Sequence, residues 1–80
     1  MSNFASTNLY LASYLYAIDE SAFIGLQPGD NTFLQFVFKP VIQDRPTTDI
    51  EKEYWNNTGS IIPKKYATAI RALKERIQHK

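Results

Sequence analysis

An α+β fold follows from three features of the chain. Apolar residues recur at helical spacing near both ends, an alternating apolar run sits in the middle, and that run is preceded by a Pro28-Gly29 turn. Eighty residues without a cysteine make one small domain that neither a disulfide nor a thiolate zinc site can staple. An aromatic-rich core or self-association has to supply stability instead. Eleven residues, from Phe4 through Trp55 to Tyr66, are aromatic, and each can bury a large area.

The first helix is expected over about residues 7–18. Ser6 and Thr7 are good N-cap types, and Leu11, Leu15 and Ile18 follow at helical spacing. Leu9 to Tyr16 also tolerates an alternating reading. Ala12 and Ala17, with no β-branched residue before Ile18, favour the helix. Tyr10, Tyr14 and Tyr16 then occupy the rest of its circumference.

A hairpin is expected over about 22–39. Ala22–Leu26 and Thr32–Lys39 are its strands, and Pro28-Gly29 fits the two central positions of a type II turn. In the second strand Leu34, Phe36 and Phe38 share one face and Phe33, Gln35, Val37 and Lys39 the other, which identifies the first set as the core face. Residues 40–46 read as a linker, because Pro40 and Pro46 exclude a central strand or a helix interior.

The second helix is expected over about 47–57. Thr48 and Glu51 have capping-box spacing, Asp49 favours the positive end, and Asn56-Asn57-Thr58-Gly59 stops it. The third runs over about 63–78, with Pro63 in its first turn. Its apolar stripe is Ile62, Tyr66, Ile70, Leu73 and Ile77. The predicted order is α-β-β-α-α, an antiparallel hairpin packed against helices, with no internal repeat.

The sequence gives little purchase to catalysis. His79 is the only histidine and stands next to last, so neither a metal site nor a nucleophile–base pair assembles around it. Asp49, Glu51 and Glu53 point in different directions on a helix and read as solvation. Gly25, Gly29 and Gly59 are too scattered for a phosphate loop. The reading is a non-enzymatic protein without cofactor or metal. No apolar stretch is long enough to span a bilayer, and Met1-Ser2-Asn3-Phe4 has no basic region of a signal peptide, so a cytoplasmic location is expected.

Charge is the one polarised property. From Ser60 onward six cations stand against Glu75 alone, whereas three cations stand against seven acids before it. On a helical wheel Lys64, Arg71 and Lys74 fall on one flank of the apolar stripe, and Lys65 and Arg76 on the other. Such a helix suits an anionic partner, nucleic acid above all, through counterion release. It is also what a solvated helix looks like, since late Lys and Arg complement the helix dipole. The alternative is a protein-interaction module using exposed aromatics such as Tyr16, Phe33 or Trp55. Phe33, with Gln35 and Val37, faces away from the expected core. It would stack on single-stranded bases or meet a second copy across a hairpin with two open edges.

Several segments taken together resemble a known group. Thr7-Asn8-Leu9-Tyr10-Leu11-Ala12-Ser13-Tyr14-Leu15 looks like its opening helix and Phe36-Val37-Phe38 like its second strand. Glu53-Tyr54-Trp55-Asn56, Ile62-Pro63-Lys64-Lys65-Tyr66 and Ala72-Leu73-Lys74-Glu75-Arg76-Ile77 look like its two closing helices. The chain thus resembles a domain-of-unknown-function family of short bacterial and phage proteins. That resemblance implies the α-β-β-α-α order and brings no active site with it.

Overall fold

The computed structural model describes residues 2–28 and 34–78. Its α+β architecture is the one expected, and its core is assembled around the first helix. Helix α1 (Leu9–Ile18) is apolar on nearly every side. Such a helix belongs inside a protein, and Leu11, Ala12, Ser13, Tyr14, Leu15 and Ala17 are all buried. A three-stranded antiparallel sheet lies against it, formed by β1 (Phe4–Ser6), β2 (Phe23–Pro28) and β3 (Leu34–Phe38) in the order β1-β3-β2. Helices α2 (Thr47–Asn56) and α3 (Pro63–Gln78) also pack on α1.

Strand β1 is the first departure from the sequence reading. It pairs Phe4 with Phe38 and Ser6 with Phe36, so β3 is a central strand and the two-stranded hairpin gains a third member. The register sets Phe4, Phe38 and Phe23 side by side, with Leu26 beside Phe36, all on the face that meets α1. Val37 belongs to the opposite face, as its alternation requires. It is nevertheless only 6% exposed, in the central strand between Ala5 and Gly25. Ala22 is buried in a short 3₁₀ turn before the strand instead of opening it. Pro28 pairs with Leu34 as a strand residue. Gly29 and Phe33, and with them the expected type II turn, lie outside the described residues, as does His79.

Helix α1 begins at Leu9 because Asn8 caps it, not Ser6 or Thr7. The Asn8 Oδ1 accepts from the N–H groups of Tyr10 (2.9 Å) and Leu11 (3.2 Å). Ser6 serves one step earlier, its Oγ accepting from the Asn8 N–H at 3.1 Å. The Ser13 hydroxyl, buried against the core, donates to the Leu9 carbonyl at 2.8 Å. Burial of an unpartnered hydroxyl would be costly; this one is satisfied within its own helix.

Residues 40–46 are a tight hairpin, not a linker. Strands β4 (Val41–Ile42) and β5 (Arg45–Pro46) pair Ile42 with Arg45. The two residues between them, Gln43 and Asp44, have φ of 49° and 65°. Positive φ at both central positions is the type I′ geometry that matches strand twist. Pro40 lies outside the two strands, and Pro46 stands in β5 opposite Val41, one place beyond the closing pair Ile42–Arg45. Ile42 is buried in the core, and Gln43 Nε2 donates to the Ile18 carbonyl at 3.2 Å.

The start of α2 also differs. No side chain caps it, so the Thr48–Glu51 capping box is not formed. Buried Thr47 holds this point instead: its hydroxyl donates to the Lys39 carbonyl (2.6 Å) and its N–H to that of Pro40 (2.8 Å). The far end closes as expected. Asn57 takes a left-handed conformation, and the N–H groups of Asn57 and Thr58 reach back to the Tyr54 and Glu53 carbonyls.

Helix α3 has the expected bounds and a different buried side. Ala69 and Leu73 are its buried residues, and Tyr66 and Ile70 are half-buried. Ile62 and Ile77, both assigned to the core by periodicity, are exposed. Small Ala69 faces a body already filled by α1, while the larger stripe residues at the two ends overhang it.

Candidate site at the aromatic face of the closing helices

Three tyrosines meet where α2 ends and α3 begins. Tyr14 comes from α1, Tyr54 from the last turn of α2 and Tyr66 from the first turn of α3. With Gly59, Ile61 and Pro63 they line a cleft of about 300 Å³. The Tyr14 and Tyr54 rings lie 5.6 Å apart, and Trp55 stands edge-on to Tyr54 at 5.0 Å. Such tilted contacts let the positive ring edges meet the negative faces.

Polar groups tie the cleft down. The Tyr14 hydroxyl donates to Glu53 Oε1 at 3.4 Å. Arg45 pairs with the same carboxylate from the β4–β5 hairpin, its second contact at 3.3 Å. That guanidinium holds the Glu53 carboxyl below its usual range. Burial, and then the Glu53 charge, push the Tyr14 hydroxyl up. The Tyr66 hydroxyl donates to the Tyr10 carbonyl at 3.1 Å, and burial followed by its neighbour Tyr54 raises it to about 12. Both hydroxyls therefore remain neutral donors at physiological pH.

Three exposed large apolar residues adjoin the lining residues in chain or contact, while Ile24, 52% exposed, stands apart on β2. Ile62 is 69% exposed, Trp55 59% and Tyr10 53%. The Trp55 ring touches the lining residue Tyr54, Tyr10 meets Tyr66 through its backbone carbonyl, and Ile62 stands between the lining residues Ile61 and Pro63 in the chain. The Trp55 Nε1 donates to Glu51 at 3.3 Å, one turn back on the same helix.

The basic residues of α3 are divided as the wheel divides them. Lys64, Arg71 and Lys74 are exposed on its outward side, with Ala67 and Gln78 between and beyond them. Glu75 shares that groove with Arg71 and Lys74, so a carboxylate interrupts the ridge. Lys65 lies on the other flank, beside Asp19 and Glu20. Arg76 is turned onto the sheet, its guanidinium 5.1 Å from the centre of the Phe23 ring. Of the five cations on α3, Arg71 and Lys74 thus share one groove, and Lys64, Lys65 and Arg76 do not line it. Phe33 lies outside the described residues, and Tyr16 is half-buried against Phe23 at 5.8 Å.

Among the aromatics named from sequence, Trp55 touches Tyr54 of this cleft, and Tyr16 lines a separate one beside Asp19 and Glu20. The cleft itself was missed, because Tyr14, Tyr54 and Tyr66 come from three helices. The Asn57-Thr58-Gly59 run, which stops one helix shortly before another starts, was the only signal for it. Among the described residues no cluster of His, Cys, Asp or Glu could hold a metal ion, and no helix is long and apolar enough to cross a membrane. Comparison with protein-family models, curated proteins and solved structures finds no match.

Proposed function

We propose that this chain is a non-enzymatic protein-interaction module that makes contact through the aromatic face of α2 and α3. One observation carries the reading: the two most exposed large apolar residues described adjoin a tyrosine-lined cleft, Trp55 through its contact with the Tyr54 ring and Ile62 by standing between the lining residues Ile61 and Pro63. Trp and Tyr dominate the energetics of protein contacts, because they bury much area while freezing few torsions. Glu53, itself a lining residue, is held by Arg45 and by the Tyr14 hydroxyl, which favours a preformed surface.

Selection from a phage-displayed peptide library tests this reading. Binders should lose affinity on Trp55→Ala and Ile62→Ser and keep it on Lys64→Ala/Arg71→Ala/Lys74→Ala, with little change between low and physiological salt. Clones that need the lysines and not Trp55 would overturn it.

A second reading is favoured by the outward cations. Among the described residues, Lys64, Arg71 and Lys74 have no ion-pair partner, and an exposed basic helix suits the phosphates of nucleic acid. Fluorescence anisotropy with labelled double-stranded DNA, single-stranded DNA and RNA decides it. Micromolar binding at physiological salt that falls in the triple alanine variant supports nucleic acid. No binding at low salt leaves these charges as solvation.

A further inference from the structure

The tyrosine-lined cleft contains one charged side chain, and it is an acid. Glu53 stands there with Tyr14, Tyr54 and Tyr66, and among the described residues no lysine, arginine or histidine lines it. Arg45 reaches Glu53 from outside the lining and holds Oε2 closely. The other oxygen is loosely held. Glu53 Oε1 accepts from the Tyr14 hydroxyl at 3.4 Å and from Arg45 at 3.3 Å, whereas charge-assisted hydrogen bonds ordinarily close to about 2.5–2.9 Å. This oxygen therefore keeps acceptor capacity. Donors for an anion are already committed. The hydroxyls of Tyr14 and Tyr66 donate to Glu53 and to the Tyr10 carbonyl. At the start of α3, Pro63 has no N–H, and the N–H groups of Lys65 and Tyr66 donate to the Ile62 carbonyl. The Lys65 side chain lines a separate groove beside Asp19 and Glu20, and exposed Lys64 does not line the cleft.

We propose that this cleft takes the ammonium end of a lysine side chain presented by the partner protein. The ammonium lies against the tyrosine rings and donates to Glu53 Oε1, and its apolar stem covers Ile61 and Pro63. Ring faces attract a cation placed within about 6 Å of their centres. Tyr14 and Tyr54 are inclined at 56° with centres 5.6 Å apart, so they do not stack, which leaves ring surface to a third body. A volume of about 300 Å³ stands at the small end of ligand clefts and suits the end of one side chain. This rests on the reading of the face as a protein-contact surface, and it adds which side chain the partner must present.

Nuclear magnetic resonance of the full chain tests the cleft by titration with tetramethylammonium and, separately, with neutral tert-butanol of similar shape. The cation should shift the ring signals of Tyr14, Tyr54 and Tyr66 saturably and bind about tenfold more tightly than the alcohol. Tyr54→Leu or Tyr66→Leu, which keep an apolar wall, should remove that preference, with circular dichroism to confirm that each variant folds. Equal binding of the two probes to the wild type, or binding of neither, overturns the cation site, and the peptide selection still judges the face. The selected peptides form the second arm. Replacing their lysine by norleucine should weaken binding about tenfold or more. Peptides that need Trp55 and Ile62 but tolerate norleucine overturn the partner's lysine and place a free amine in the cleft instead. Peptides indifferent to Trp55 and Ile62 overturn the reading of the face, and the tetramethylammonium titration then judges the cleft by itself.

Discussion

The Tyr14 hydroxyl occupies the space in which a β-carbon on residue 59 would lie. An added methyl there would also come within 2.6 Å of Tyr14 Cζ, so Gly59 is required by close approach. Tyr14 cannot swing aside, since it is buried and its ring meets Tyr54. Gly59→Ala should therefore cost roughly 1–3 kcal/mol, the usual penalty for overpacking. Removing the hydroxyl should recover part of that cost, so Tyr14→Phe/Gly59→Ala should be less destabilised than the sum of its single variants. Urea unfolding of the four proteins measures the coupling, and strict additivity would contradict it.

The raised hydroxyls predict an alkaline limit to stability. Tyr66 moves from an ordinary value of 10.0 to about 12, so its neutral form contributes fully below pH 10. Above that, the unfolded chain binds fewer protons than the folded one, and stability falls as pH rises toward 12. Tyr66→Phe should flatten this fall, and Tyr14→Phe should do so in the same direction. Phenolate absorbance followed against pH checks it, because each variant should lose part of the late-titrating signal. Profiles identical to wild type would contradict the burial of these hydroxyls.

Acid should act through Glu53. Arg45 lowers its carboxyl from the ordinary 4.5, so its contribution is complete above that pH and is lost as pH falls through the lowered value. The side chains are 46% and 28% exposed for Arg45 and Glu53, and solvent screening keeps the effect small. Arg45→Met should remove most of this acid dependence while changing neutral-pH stability little. Thermal melts from pH 7 downward test it, and an unchanged acid profile in the variant would count against the pair.

The turn joining β4 to β5 offers a gain in stability. Asp44 holds φ of 65° without being glycine, a conformation that side chains other than Asn and Asp rarely adopt. Asp44→Gly should stabilise the protein by up to about 1 kcal/mol, with the usual loss from a more flexible unfolded chain subtracted. A lower urea midpoint would show that the Asp44 side chain supports the turn in some other way.

The helices were legible in the sequence because each carries its own signals: Pro63 at the start of α3, Asn57 at the end of α2, and Ala-rich helical spacing in α1. Alternation in β3 gave the core face of the sheet. What escaped has no local signal. Phe4–Ser6 is too short to show a period and becomes a strand only by lying beside β3. The β4–β5 turn lacks the Asn-Gly pair that marks its type. Periodicity placed Ile62 and Ile77 in the core because a stripe shows which residues can be buried together, not how far the neighbouring elements reach along the helix. The candidate site depends on three helices meeting, so only its individual aromatics could be read beforehand.

Trp55 is the sole tryptophan, and its emission tests the central claim most directly. In a single chain it is 59% exposed and should emit at long wavelength. If the aromatic face is a protein-contact surface, emission should shift to the blue as a peptide selected against the chain is titrated in, and Ile62→Ser should weaken that shift. Emission that stays at the exposed position at every concentration would contradict it.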